Sequence, residues 1–287
     1  MRKTKIALMG VCNSRNVLVS EPLKDSVEVI PWMFQPCFLD ITKEGLAIPY
    51  KDFFKSSPIE NVNATAIFTR MTMHYDLNKT GFATVESFNP NFLLIDLSTL
   101  GMRTYRVSYK GNVVYSCNAY SPDCYEYLQK DIPDLKFEAV TDSVSEVWVK
   151  ESLFTLAEYL KGNWNLNKVL LFKYAGSEFY RSFDGKIHHY PENHWSRNQT
   201  EKIKKYCDYF SSLLPEVKVF TDVDLKVCED EVQKPDVIPS TFHTSADTRI
   251  LQGLEFKKFL FHEDCDTEIE VARKKMVDTL KENGVKF

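Results

Sequence analysis

The side chains best suited to covalent chemistry stand together near the start of the chain, in Gly10-Val11-Cys12-Asn13-Ser14-Arg15. A thiol and a hydroxyl can each attack a carbonyl carbon once a base removes the proton. A thiol at the N-terminus of a helix is more reactive, because free N–H groups and the helix dipole stabilise its anion. The segment therefore favours acyl transfer, with Cys12 or Ser14 as nucleophile. The alternative is a buried structural cysteine, since cysteine is among the most often buried residues.

Five residues are candidates to bind a substrate near such a nucleophile. Gly10 permits a sharp exit from a strand, and Asn13 can cap the helix that follows. Arg15 and Arg70 carry guanidinium groups that bind anions, although pairing with surface acids is the commoner role of such groups. Asp96 ends an apolar run, where it either faces a ligand or caps the next turn, and we favour the cap. The candidate substrate-binding residues are Gly10, Asn13, Arg15, Arg70 and Asp96.

A nucleophile of this kind also needs a base, and the six histidines are the candidates. His188, His189 and His194 form one cluster. Their spacing does not demand a metal ion, so we expect an exposed loop that lines a substrate and no metal site.

The elements that must position these residues follow from hydrophobic periodicity. Short apolar runs predict buried strands, and stretches with helical spacing, at Val144–Leu160 and Gln199–Leu214, lie between them. Strands that alternate with helices indicate a mainly parallel sheet covered on both faces, with ligands bound at its carboxyl edge. The predicted strands are Lys5–Met9, Val27–Ile30, Phe92–Asp96, Lys168–Phe172 and Val217–Phe220.

We therefore predict one α/β domain over residues 1–287, a three-layer α/β/α sandwich. Two segments depart from the alternation and are expected to be insertions at the rim of the sheet. Residues 101–135 suggest a hairpin around Lys110-Gly-Asn112, and residues 174–197 are rich in aromatic residues and histidine without a clear period.

Composition excludes several classes of function. The chain has 36 basic and 40 acidic residues and no basic stripe, so we expect no nucleic-acid partner. No stretch approaches the roughly 18 apolar residues of a membrane span, and the first apolar run is too short for a signal peptide. Seven scattered cysteines favour reduced thiols in the cytoplasm over a disulfide framework or a zinc site. A nucleotide-sugar transferase is disfavoured, because no glycine-rich phosphate loop is present.

The opening turn resembles that of a known family. Gly10, Cys12, Ser14 and Arg15 match the strand end Gly-Ser-Cys-Val-(Ser/Thr)-Arg-Asp of largely uncharacterised bacterial proteins related to SGNH (GDSL-type) hydrolases, which are associated with surface-polysaccharide biosynthesis. Val11, Asn13 and Asn16 depart from that motif. Further resemblances follow in chain order at Phe68-Thr-Arg70 with Asp76-Leu77, at Phe92–Leu97, at Val169–Lys173 and at Pro239–His243.

The resemblance implies roles for individual residues. Cys12 aligns with the nucleophilic serine of the wider superfamily, and His243 lies late in the chain, where SGNH-like proteins carry the catalytic histidine. Their orienting aspartate precedes that histidine by three residues, where this chain has Ser240, so Asp236 and Asp247 are the nearest substitutes. His243 is otherwise a loop histidine bonded to a backbone carbonyl.

Two functions are compatible with these features. The first is an acyl-ester hydrolase or acyltransferase that acts on a glycan or glycan precursor. It requires no cofactor beyond, for a transferase, an acyl donor such as a coenzyme A thioester. The second is a non-catalytic SGNH-like module that binds a glycan or a protein partner, as Val11 and Ser240 suggest. The sequence leaves the oligomeric state open.

Overall fold

A computed structural model describes residues 2–53, 55, 66–117, 122–229 and 237–285. Its strands are β1 (Thr4–Gly10), β2 (Val27–Phe34), β3 (Phe92–Asp96), β4 (Thr104–Tyr109), β5 (Asn112–Cys117), β6 (Lys136–Ala139), β7 (Val169–Lys173), β8 (Phe179–Arg181), β9 (Ile187–His189), β10 (Lys218–Thr221) and β11 (Val227–Cys228). Its α-helices are α1 (Cys12–Leu18), α2 (Ala66–Asn78), α3 (Gly81–Ser87), α4 (Pro122–Asp131), α5 (Glu146–Asn163), α6 (Trp195–Leu213), α7 (Ala246–Phe261) and α8 (Asp266–Glu282).

The central sheet has five parallel strands in the order β10-β7-β3-β1-β2. These five strands overlap the five apolar runs predicted from the sequence, with bounds that differ by up to four residues, so the prediction of an α/β fold with a mainly parallel sheet is confirmed. The inner strands β1, β3 and β7 are apolar over most of their length, as is typical of strands that are buried on both faces.

β1 lies inside the central sheet, and β2 and β3 pair with it on opposite sides. The strand order therefore reverses at β1. In open parallel sheets, a crevice at the carboxyl ends of the strands forms at such a reversal and is the usual ligand site. The turn from β1 into α1 lies at that position.

Helices pack against the sheet and against one another. α1 contacts α7, α5 contacts α6, and α6 contacts β7. This arrangement is compatible with a three-layer sandwich. Within α5, Val149, Leu153, Leu156 and Leu160 are buried, as the apolar stripe predicted over Val144–Leu160 requires, but Val147, which was predicted to belong to that stripe, is 65% exposed.

The start of α6 was predicted wrongly. The helix begins at Trp195, with His194 as N-cap, and not at Gln199. The end was predicted correctly: α6 stops at Leu213, since Pro215 cannot continue a helix.

Two smaller three-stranded sheets lie apart from the central sheet. Each takes two of its strands from one of the two segments that were predicted to be insertions. One has the order β5-β4-β6, and its β4–β5 hairpin turns through Lys110 and Gly111, which both have positive φ as a type I′ turn demands. The other has the order β11-β8-β9 and shares an apolar cluster with α7 and α8. No helix among the described residues is both long and apolar enough to cross a membrane.

Candidate functional site

The turn between β1 and α1 is built around Gly10. A Cβ atom at this position would lie 2.6 Å from the Cβ of Asp96 and 2.8 Å from the Oγ of Ser14. Only glycine avoids that overlap. Asp96, the last residue of the neighbouring strand β3, can therefore reach across to the first turn of α1.

Asp96 is completely buried and accepts several hydrogen bonds. Its Oδ2 accepts from the hydroxyl of Ser14 (2.6 Å) and from the N–H of Val11 (3.4 Å). Its Oδ1 accepts from the N–H of Ser98 (3.0 Å) and from the Ser98 hydroxyl. Burial raises the pKa of Asp96, and these hydrogen bonds oppose that rise. We call Val11, Ser14, Asp96 and Ser98 the Asp96 network. Asp96 thus caps the 3₁₀ turn Leu97–Gly101, the role that we favoured from the sequence.

Ser14 has a structural position. Its side chain is fully buried, and its hydroxyl lies within hydrogen-bonding distance of the Asp96 carboxylate and of the Val11 carbonyl (3.0 Å). A nucleophile must present its oxygen to a substrate carbonyl, which a fully buried hydroxyl does not do. The geometry therefore disfavours Ser14 as the nucleophile.

Asn13 belongs to a second buried polar group. Its Nδ2 donates to Oδ2 of Asp222 (3.2 Å), and its Oδ1 accepts from Nε2 of Gln252 (3.3 Å). Gln252 also donates to Oδ1 of Asp222 (2.6 Å), and the buried Lys226 ammonium lies 2.7 Å from Oδ2. We call Asn13, Asp222, Lys226 and Gln252 the Asp222 network. Because both ends of the Asn13 amide are engaged here, its side chain orders the turn and does not face a substrate.

Lys226 is held from three directions. Besides the Asp222 carboxylate, its ammonium donates to the carbonyl of Ala175 and lies 4.3 Å from the ring centroid of Tyr174. Tyr174 is itself buried and donates its hydroxyl to the carbonyl of Thr241 (2.9 Å). Burial raises the pKa of Tyr174 well above its ordinary value, so the phenol stays neutral.

Cys12 is the first residue of α1 and is partly exposed, between a buried Val11 and a buried Asn13. Val11 is the N-cap, and its side chain has no atom that can accept a hydrogen bond. A cap of the usual kind, with a side-chain oxygen, would bond to the first N–H groups of the helix. The Val11 side chain therefore supplies no hydrogen bond to the start of α1, where the Cys12 thiol lies.

Arg15 and Gln35 lie beside the turn, Arg15 through a contact with Trp32 and Gln35 through a hydrogen bond to Gly10. The guanidinium of Arg15 lies 4.8 Å from the ring centroid of Trp32, whose Nε1 donates to the carbonyl of Gly10 (3.3 Å). The N–H of Gln35 donates to the same carbonyl (3.0 Å). Gln35 follows β2 with a positive φ of 51°, and its buried Oε1 has no hydrogen-bond partner among the described residues.

His243 lies in the loop before α7, and its side chain is exposed. Its N–H donates to the carbonyl of Ser240 (3.1 Å), and its carbonyl accepts from the N–H of Glu229 (2.9 Å), so the backbone of the loop is held. Asp247 lies in the first turn of α7, where its carboxylate pairs with Lys275 (2.8 Å). The other candidate partner, Asp236, lies outside the described residues.

The remaining predicted residues lie on other elements. Arg70 is in α2, with its guanidinium 5.8 Å from the ring centroid of Tyr50. His188 and His189 are exposed on β9, and Nε2 of His188 lies 3.0 Å from the hydroxyl of Ser182. Among the described residues, no three His, Cys, Asp or Glu side chains are grouped as a metal site would require.

Four residues of the site were missed by the sequence analysis. Asp222 directly follows β10, as Asp96 ends β3, so its position after a predicted strand was a usable signal. Lys226, Gln252 and Gln35 offered none, because nothing in their local sequence distinguishes them from surface residues.

Comparisons of the chain with protein families, with curated proteins and with solved structures found no match.

Proposed function

We propose that the protein is an acyl-ester hydrolase or acyltransferase with Cys12 as its nucleophile. One observation carries the proposal. Of the three consecutive polar side chains Cys12, Asn13 and Ser14, two are fully buried in separate hydrogen-bond networks, and Cys12 alone keeps exposed surface. Two buried carboxylates, Asp96 and Asp222, thus hold the backbone on which the thiol is presented. Burying carboxylates is costly, and such a cost is typical of sites whose geometry must be maintained.

The reaction that this arrangement supports has two steps. In the first, the Cys12 thiolate attacks the carbonyl carbon of an ester or thioester, and the N–H groups at the start of α1 stabilise the resulting oxyanion. The intermediate then collapses, the alcohol or thiol leaves with a proton, and an acyl-cysteine remains. In the second step, water or a glycan hydroxyl attacks the acyl-cysteine and regenerates the thiol.

His243 is the base in this proposal. It would take the proton of the Cys12 thiol and deliver it to the leaving group. The resemblance of the sequence to SGNH-like proteins, whose catalytic histidine lies late in the chain, supports this choice. We accordingly propose an acylated glycan or glycan precursor as substrate, a coenzyme A thioester as donor if the enzyme is a transferase, and the reducing cytoplasm as its location.

Thiol labelling tests the proposal directly. The experiment uses a Cys124→Ser background, in which Cys12 is the only cysteine besides five that are buried. Iodoacetamide is added over a range of pH, and the modified residue is identified by peptide mass spectrometry. We expect selective labelling of Cys12 that persists below neutral pH and disappears in Cys12→Ala. An inert Cys12 would contradict the proposal.

Turnover is then measured with p-nitrophenyl acetate and with acetyl coenzyme A. We expect Cys12→Ala to lower the rate about 10³-fold and to abolish a covalent acetyl adduct, as is typical for loss of a nucleophile. Cys207→Ala, which removes a fully buried thiol, is the matched control and should retain activity.

A non-catalytic binding module is the second candidate. The pairing of Asp247 with Lys275 favours it, because a carboxylate engaged in a surface ion pair does not orient His243. This alternative predicts a chain that binds acylated glycans with the same affinity in wild type and Cys12→Ala and that releases no acyl group.

A further inference from the structure

A second group of reactive side chains lies apart from the β1–α1 turn, and we call Cys37, Asp76, Lys79 and Cys117 the thiol cluster. Cys37 follows β2, Asp76 and Lys79 lie at the end of α2, and Cys117 is the last residue of β5. Both cysteines are buried, and neither forms a disulfide in the structure. The sequence analysis predicted reduced thiols and no disulfide framework, so it did not single out this pair.

Asp76 holds the two cysteine-bearing segments together. Its Oδ1 accepts a hydrogen bond from the N–H of Cys37 (3.0 Å), and its Oδ2 accepts one from the hydroxyl of Ser116 (2.6 Å). The Asp76 carboxylate therefore binds the backbone of Cys37 and the side chain of Ser116, the residue before Cys117. The relative position of the two thiols is set by this bridge.

Lys79 adds a buried positive charge beside them. Its ammonium lies 3.1 Å from Oδ1 of Asp76 and donates to the carbonyl of Tyr115 (2.6 Å). Burial acts to lower the pKa of Lys79, but Asp76 and the two cysteines act to raise it, and the net shift is upward. The side chain thus stays charged, and a fixed ammonium favours the thiolate form of a nearby cysteine.

The two thiols interact directly. The pKa of Cys117 is raised well above its ordinary value, first by the hydrogen bond with the Cys37 thiol and then by burial. The two side chains are therefore neighbours, on segments that one carboxylate bridges, as the partners of a disulfide must be.

We propose that Cys37 and Cys117 form an intramolecular disulfide when the protein is exposed to a small organic disulfide such as oxidised glutathione. One cysteine thiolate attacks a sulfur of the reagent, forms a mixed disulfide and releases one thiolate. The second cysteine then attacks the protein sulfur of the mixed disulfide and releases the other. The protein is oxidised by two electrons, the reagent is reduced to two thiols, and the two cysteine protons end on those thiols. The product ties β5 to the segment that follows β2.

The test compares wild type with Cys37→Ser and Cys117→Ser, which replace sulfur by oxygen at nearly constant volume. Each protein is incubated with oxidised glutathione both in the folded state and during refolding from urea, because the folded state shields both sulfurs. Intact mass and mapping of non-reduced peptides are the readouts. Cys207→Ser, in a buried site of the main core, is the matched control.

We expect wild type and Cys207→Ser to lose two hydrogen atoms and to yield one cross-linked peptide that joins Cys37 to Cys117. Both cluster variants should instead carry glutathione or remain reduced. The melting temperature of the oxidised wild type should rise by about 5–10 °C, since the new bond closes a long loop in the unfolded chain. Refolding that yields other pairings, such as Cys117 with Cys124, or only glutathione adducts in wild type, would overturn the proposal.

Discussion

The Asp96 and Asp222 networks hold the same turn but balance their buried charge differently. Asp222 is paired with a buried cation, Lys226, and also accepts hydrogen bonds from the Asn13 and Gln252 amides. The described donors to Asp96 are neutral hydroxyl and N–H groups. Hydrogen bonds alone leave Asp96 with a raised pKa. The comparison teaches that neutral donors leave the charge of a buried carboxylate sensitive to acid, whereas a buried cation balances such a charge directly.

The largest expected effect comes from breaking the ion pair. Lys226→Met leaves Asp222 as an unpaired buried charge, so the free energy of unfolding should fall by about 3–5 kcal/mol. Denaturant titration at neutral pH measures it. The exposed Lys205, which pairs with Glu146, supplies the matched control Lys205→Met, for which we expect little change.

A double variant sharpens this result. Asp222→Asn with Lys226→Met removes both charges and should be more stable than Lys226→Met alone. If the double variant is the less stable of the two, the buried pair does not stabilise the fold in the way described.

The next effect concerns the close approach that the Asp96 network requires. Gly10→Ala places a methyl group against Asp96 and Ser14, and overpacking of this kind costs about 1–3 kcal/mol. Gly162→Ala in α5 is the control with the opposite sign, because a Cβ there meets no atom within 4 Å. It should stabilise the protein by roughly 0.5–1 kcal/mol. Thermal unfolding of both variants decides the point.

A smaller effect separates Ser14 from Cys12. Ser14→Ala removes one donor to Asp96 and should lower the free energy of unfolding by about 1.5 kcal/mol. Ester hydrolysis should persist in this variant after correction for the folded fraction. A loss of turnover as complete as that of Cys12→Ala, in folded protein, would instead make Ser14 the nucleophile.

The pH dependence of Asp96 is the subtlest difference. Because its pKa is higher in the folded than in the unfolded state, the folded protein binds more protons between the two values. In that window Asp96 contributes stability at low pH that is lost as the pH rises. Asp96→Asn should remove this part of the slope, whereas Lys226→Met should not. Unfolding measured from the ordinary aspartate pKa up to neutral pH reveals it, and an unchanged slope in Asp96→Asn would contradict the assignment.

The sequence predicted the central sheet well because its inner strands are buried on both faces, which leaves an uninterrupted apolar signal. It also placed Cys12, Asn13 and Ser14 at the turn after β1. It did not show which of the three remains accessible. That depends on Asn13 meeting Gln252, 239 residues later in the chain, and no local pattern encodes such a contact. The start of α6 was predicted wrongly because its N-cap, His194, is not a typical capping residue and gives no local signal.

The outer strands of the central sheet carry a consequence for solubility. An unpaired strand edge is a template for intermolecular β-pairing, and short or irregular edges suppress such aggregation. β10 on one side has only four residues. β2 on the other side is longer, but Pro31 offers no N–H to a neighbouring chain, and the pairing of β2 with β1 shifts register between Ile6 and Leu8. Both edges of the sheet are therefore poor partners for a second copy of the chain.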